Sequence, residues 1–281
     1  MFISCFRREN VLNIIKRFYK RSVTNYDLET YLEKQMNCEM ITSYLNNYFD
    51  LIEKYPKAEH DEFFLKNGFV PIVTGSTVPE GGAGVYLQGE VEAGKIVGIY
   101  PGLIYEPGDP SFFPSIKNDY FLRRNDGSNL DGKFYGLSGW MYRSSLSKNT
   151  HKDDDGNIIP FADATWITDS RDIHKLLKSN NTTNTNQSES PSPLGRFSNP
   201  LATGHFINCA SDGKRANVMY FDFNFNYTFN QKRKFIPNIG YSNSLDDDEV
   251  LVKSLLIVSL RRIQDEELFT DYSFIGTSDG N

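Results

Sequence analysis

Cysteine is scarce in this chain: three among 281 residues, at Cys5, Cys38 and Cys209. Thiols so few and so far apart cannot build a disulfide framework. With no Cys-x-x-Cys pair and no histidine spaced for tetrahedral coordination, they also form no zinc site. A reducing intracellular compartment, nuclear or cytoplasmic, is the expected home. Long apolar runs are missing as well. Stretches such as Leu255–Val258 fall far below the roughly 18 residues that a membrane-spanning helix needs, so no span is expected. The four histidines, His60, His151, His174 and His205, contain no H-x-x-x-H pair, and no serine occupies a G-x-S-x-G elbow. A metallohydrolase or a Ser-His-Asp hydrolase therefore has nothing to stand on. Asp153–Asp155 and Asp246–Asp248 lack the alternate spacing of a calcium loop; they are expected to be solvated acidic turns, and no metal site is expected.

Positive charge is sparse beyond the first 25 residues. Arg7, Arg8, Lys16, Arg17, Lys20 and Arg21 face only Glu9 there, which leaves 24 basic against 35 acidic side chains in the remainder, a net of −11. So acidic a body is poorly matched to a phosphate backbone, and direct nucleic-acid binding is not expected. A basic peptide or protein is the better-matched partner. Among the N-terminal cations lie Ile3, Phe6, Val11, Ile14, Ile15 and Phe18, an amphipathic helical pattern. It is expected to be the first helix of a structural module, with a mitochondrial presequence as the alternative.

From Tyr26 to Tyr55 apolar residues, among them Leu28, Leu32, Met36, Leu45, Tyr48, Phe49 and Ile52, recur every three or four positions. That is a helical period, so residues 1–66 form a helical N-terminal region. From Gly68 onward Gly, Pro, aromatic and β-branched residues dominate, with alternating runs at Gly84–Val91 and Gly94–Tyr100, which predicts a β-rich domain over 68–275 and a tail over 276–281. Asp126-Gly127 and Asp131-Gly132 are hairpin-type turn signals. Lys178–Pro193 is polar and predicts a disordered insertion. Gly81-Gly82-Ala83-Gly84 is not a dinucleotide fingerprint: the third glycine position falls on Leu87, and a strand pattern rather than a helix follows.

Four ordered segments rise above this background: Gly82-Ala83-Gly84-Val85-Tyr86; Ile99-Tyr100-Pro101-Gly102; His205-Phe206-Ile207-Asn208-Cys209 with Asn217-Val218-Met219-Tyr220; and Glu267-Leu268-Phe269-Thr270-Asp271-Tyr272. In that order they resemble the SET domain of protein lysine methyltransferases. Phe112-Phe113-Pro114, Thr165-Trp166, Asn199-Pro200-Leu201-Ala202 and Pro237-Asn238-Ile239 narrow the likeness to one branch of that family. The implied fold is α+β: a β-rich SET fold of several small sheets with a pseudoknot-like C-terminal threading, preceded by the helical region.

The resemblance implies S-adenosylmethionine as cofactor and a lysine-bearing protein as substrate. Gly82, Ala83, Gly84, Asn208, Cys209 and Tyr272 would bind the cofactor, Tyr100, Tyr220 and Thr270 would line the lysine channel, and Tyr272 would be the catalytic residue. Three positions depart from the family pattern. Cys209 replaces a histidine, His205 an arginine, and Thr270 the aromatic residue two before the closing tyrosine. Those departures support a second reading, a SET-fold scaffold that binds proteins without turnover.

Overall fold

Helix α1 (Cys38–Lys54) follows from its sequence period. Ile41, Leu45, Tyr48, Phe49 and Ile52 fall on one stripe and are all buried, each contributing on the order of 1.5–3 kcal/mol before entropy is counted. Phe49 lies against Phe225, Phe229 and Phe235, and Tyr48 meets Phe63 of helix α2 (His60–Asn67) edge-on at 5.1 Å. The helical region thereby packs onto the β-rich body. This computed structural model describes residues 38–56, 60–148, 151–152, 158–159, 161–180, 193–195, 197–211, 213–242 and 250–271. The basic N-terminal run, both aspartate triplets, Tyr272 and the tail lie outside the described residues.

Strands β1 (Phe69–Gly75) and β2 (Ala83–Val91) pair antiparallel from Phe69↔Gly89 to Gly75↔Ala83. The alternation read in the sequence turns Val85, Leu87 and Val91 inward. Strands β3 (Ile96–Tyr100) and β4 (Gly102–Tyr105) are buried throughout. After the short helix α3 (Phe112–Ser115), β5 (Phe121–Arg123) and β6 (Asn129–Asp131) form a hairpin across Asp126-Gly127, where Gly127 takes φ 85. The second turn signal, Asp131-Gly132, makes no hairpin. Gly132 is a close-approach residue instead, because a Cβ there would stand 2.5 Å from Tyr100 Cε1.

Helices α4 (Gly136–Lys148) and α5 (Thr165–Asn180) flank the two-residue strands β7 (His151–Lys152) and β8 (Ile158–Ile159). Helix α5 reaches Asn180 and β9 starts at Pro193, so both ends of the expected insertion belong to regular elements, and residues 181–192 lie outside the described ones. The chain continues through a 3-10 turn (Gly204–Phe206), β10 (Asn208–Cys209), β11 (Val218–Asn226), a 3-10 segment (Tyr227–Phe235), β12 (Asn238–Gly240), β13 (Val250–Ser259), β14 (Ile263–Glu267) and β15 (Phe269–Thr270).

These strands form three small sheets, ordered β14-β2-β1-β9, β11-β13-β3 and β12-β4-β6-β5, and two isolated pairs, β10-β15 and β7-β8. In the first pair β10 runs parallel to β15, setting Asn208 beside Phe269 and Cys209 beside Thr270. The last strand thus enters beside a segment some sixty residues earlier, the kind of threading that the resemblance implied.

Candidate functional site

Three of the segments singled out in the sequence meet at one end of β2. Gly82 sits outside the strand with φ 63, and a Cβ added to it would find no atom within 4 Å, so its backbone faces open space. Gly84 has the opposite reason to lack a side chain. A Cβ there would lie 2.3 Å from Oε1 of Glu267, so the glycine makes room for a buried carboxylate.

That carboxylate ends two donor relays. Asn208 Nδ2 donates to the Ala83 carbonyl at 2.9 Å and to Ser76 Oγ at 3.0 Å, and Ser76 Oγ donates to Glu267 Oε1 at 2.6 Å. From the other side Lys214 Nζ donates to Thr77 Oγ1, and Thr77 donates to Glu267 Oε2 through its amide at 2.8 Å and its hydroxyl at 2.5 Å. Donors converging on one charged acceptor make stronger, shorter bonds than neutral pairs do. The relay joins the Ser76–Thr77 loop, the glycine edge, β10 and β14 into one unit.

The motif brought forward Gly82, Ala83, Gly84 and Asn208 and carried Glu267 without a role, and nothing in it pointed to Ser76, Thr77 or Lys214. No local pattern marks a hydroxyl loop whose acceptor lies about 190 residues away. Beside the relay opens a cleft of about 380 Å³ lined by Thr74, Thr77, Tyr86, Lys214, Arg215, Arg261, Glu266, Glu267 and Phe269. Lys214 Nζ also stands 4.6 Å from the centre of the Phe269 ring, a cation–π contact. Arg261 forks onto Glu266 at 2.5 and 2.8 Å.

The expected channel residues are close to the same threading. Tyr100 and Tyr220 meet edge to face, ring centres 5.7 Å apart at 79°. The Tyr100 hydroxyl donates to the Tyr120 carbonyl at 3.0 Å, and Gly132 passes against its ring, so this phenol is held in one orientation. Thr270 is buried, and its Oγ1 has no hydrogen-bond partner among the described residues. Cys209, half-buried, is a free thiol in register with it. Tyr272 lies outside the described residues.

His205, which stands where the family pattern has arginine, is buried in an aromatic cage. Its ring centre is 4.2 Å from that of Phe206 and 5.4 Å from that of Trp166. Ser170 Oγ, which donates to the Trp166 carbonyl at 2.6 Å, lies 2.8 Å from His205 Nε2. The hydroxyl's only proton is committed, so Nε2 carries the hydrogen and donates. Burial pushes the imidazole pKa down to about 3, and His205 is therefore a neutral packing residue rather than a cation. Among the described residues no helix is long and apolar enough to cross a membrane, and no group of three His, Cys, Asp or Glu side chains is placed to hold a metal.

No protein-family model matches the chain. Two curated proteins do: SET domain-containing protein 9 of Homo sapiens and SET domain-containing protein 9 of Pongo abelii, each 32% identical over 208 residues, or 73% of this chain. The match spans 58% of the human relative and 64% of the orangutan one, less than two thirds of either. Among solved structures, a humanized mutant of the Chaetomium thermophilum Polycomb Repressive Complex 2 bound to the inhibitor GSK126 is similar at TM-score 0.32 and 13% identity, covering 72% of this chain and 14% of that one. A likeness that distant adds nothing to the reading of the site.

Proposed function

We propose that this chain, 32% identical to SET domain-containing protein 9 over 73% of its length, is a SET-domain methyltransferase that uses S-adenosylmethionine to methylate a lysine side chain of a protein substrate. The observation that carries the reading is the parallel β10–β15 pair, which brings Asn208 and Cys209 beside Phe269 and Thr270 while Asn208 holds the Ala83 carbonyl of the glycine edge.

The residues fit such a cofactor. Gly82 leaves open backbone, and the adjoining cleft offers Lys214 and Arg215 to a carboxylate and Glu267 to an ammonium or hydroxyl group. Gly82, Ala83, Gly84, Asn208 and Cys209 would hold it, with Tyr272 closing the site. When bound, the cofactor supplies an electrophilic methyl group on a sulfonium.

The chain's own residues prepare the acceptor. A free lysine amine has a pKa near 10.4 and must lose its proton to act as nucleophile. A narrow aromatic passage lowers that pKa by excluding water from the ammonium form. Tyr100 and Tyr220 make two perpendicular walls of such a passage, with the Tyr100 hydroxyl turned away onto the Tyr120 carbonyl. The Tyr272 hydroxyl would orient the amine, and fixed orientation removes a large part of the barrier. The acidic body suits a basic substrate segment.

The test is labelled-methyl transfer onto protein from a cell lysate by wild type and by Tyr272→Phe. The variant keeps the ring and loses one oxygen, so it should retain its fold and lose about a hundredfold in transfer, roughly 2.7 kcal/mol of transition-state stabilisation. Equal transfer by both proteins removes Tyr272 from the mechanism. Absence of transfer by a folded wild type favours the non-catalytic scaffold.

A further inference from the structure

The body of the chain is acidic, yet one face of it is not. Helix α4 exposes Leu137, Trp140 and Arg143 at three-residue steps, which places them on one side of the helix. Helix α5 exposes Arg171, His174 and Lys178, at steps of three and then four, on one side as well. Residues just before α4 bring its start against the exposed side of α5. The Tyr135 ring, just before α4, stacks on His174 at 6.0 Å and 18°. Lys133 Nζ lies 5.0 Å from the centre of that Tyr135 ring. Arg171 lies near Arg143: burial, and then the charge of Arg171, pull the Arg143 pKa below its ordinary value.

Among the described residues no carboxylate forms an ion pair with Arg143, Arg171 or Lys178, while Lys133 acts on the buried Asp131 carboxylate. The acidic group on this side of α5, Asp172, is taken by Lys175 at 3.0 Å. Trp140 is 62% exposed and Leu137 50% exposed. Two neighbouring, unneutralised guanidiniums beside an exposed tryptophan form an unusual surface on a protein whose net charge is −6.

We propose that the α4–α5 face is a docking surface for an acidic protein segment that carries apolar side chains. Each guanidinium can bind a carboxylate by two parallel hydrogen bonds. Trp and Arg are also the residue types that dominate binding energy at interfaces, with an apolar anchor at the centre of the patch. The partner's chemistry follows from charge complementarity on two length scales. Within about 8 Å, the screening length at physiological salt, the face is cationic and selects an anionic segment. Over the whole molecule the charge is negative, which disfavours a long polyanion such as a nucleic acid. A short acidic stretch meets the first condition without violating the second.

Trp140 supplies its own reporter, because the chain has two tryptophans and the other, Trp166, is fully buried. The experiment titrates the full chain with a short peptide of alternating Glu and Leu, and in parallel with its Lys-for-Glu counterpart and with oligothymidylate, following tryptophan emission. The Glu peptide should bind saturably in the micromolar range, shift the emission to shorter wavelength and weaken at high salt. Arg143→Glu with Arg171→Glu should weaken binding about tenfold or more, and thermal melting should show both proteins folded. Arg143→Gln with Arg171→Gln gives a milder second variant if the charge reversal does not fold. Equal binding by wild type and either folded variant overturns the proposal, as does no saturation by about 1 mM peptide. Preference for the Lys peptide or for oligothymidylate overturns it too. Binding that appears only after Asp153, Asp154 and Asp155 are changed to Asn would assign the face to the chain's own acidic triplet, and would likewise overturn it.

Discussion

Four hydrogen bonds converge on Asn217, a fully buried residue. Its Oδ1 accepts from the Phe269 amide at 2.7 Å and its Nδ2 donates to the Glu267 carbonyl at 2.8 Å, while its own backbone amide donates to the Phe269 carbonyl and its carbonyl accepts from Leu260. This one amide side chain holds the strand that enters the threading. Asn217→Ala would strand a buried N–H and a buried carbonyl, each costing about 1–3 kcal/mol. The expected outcome is a loss of roughly 2–5 kcal/mol in urea unfolding, seen as a lower midpoint at unchanged slope. His205 gives a second residue-scale test, one of pH. Its folded pKa, near 3, lies below the unfolded value of about 6.5, so the unfolded chain takes up the proton first. Its contribution is constant above about pH 7 and is lost as pH falls from 6.5 toward 3, at up to about 1.4 kcal/mol per pH unit. In His205→Gln that part of the pH dependence should vanish, which thermal melts from pH 7 to 4 can measure.

Among the elements, those with a strong period were legible in the sequence: α1 from its apolar stripe, and β2 and β3 from alternation. Helix α4 was not. Its buried positions are Ser138, Gly139, Tyr142 and Ser145, a helical spacing written in small polar residues, with Gly139 set so close to the Phe134 carbonyl that a Cβ would stand 2.5 Å away. No hydrophobic pattern announces a face of that kind. The site divides along the same line. Its glycines, Asn208 and Glu267 sit in a recognisable motif, whereas the Ser76, Thr77 and Lys214 contacts that order them arise only when distant segments meet. Asp131-Gly132 shows the converse, a turn-like dipeptide that tertiary contact puts to another use. The stretch between α5 and β9 carries an element-scale prediction. Residues 181–192 contain no apolar side chain, so they have nothing with which to bury surface. Replacing them with a Gly/Ser segment of equal length should leave the thermal midpoint nearly unchanged, whereas a fall of several degrees would show that they pack on the domain.

At the scale of the whole molecule, charge is segregated. The exposed basic residues of α4 and α5 lie on a body whose net charge is negative, and the candidate cofactor cleft carries both signs side by side in Lys214, Arg215, Arg261, Glu266 and Glu267. The Asn208–Ser76–Glu267–Thr77–Lys214 relay ties the walls of that cleft together, so cofactor binding should depend on this preorganised unit and need no metal. Ligand that binds only the folded state also raises stability, by RT ln(1 + [L]/Kd). The most direct measurement is calorimetric titration of metal-free protein with S-adenosylmethionine, alongside Asn208→Ala, which breaks the relay at the glycine edge. The wild type should show one binding event per chain without added metal, and the variant binding weakened by about 1–3 kcal/mol. No binding heat at millimolar ligand to folded protein, or stoichiometric zinc by elemental analysis, would contradict it.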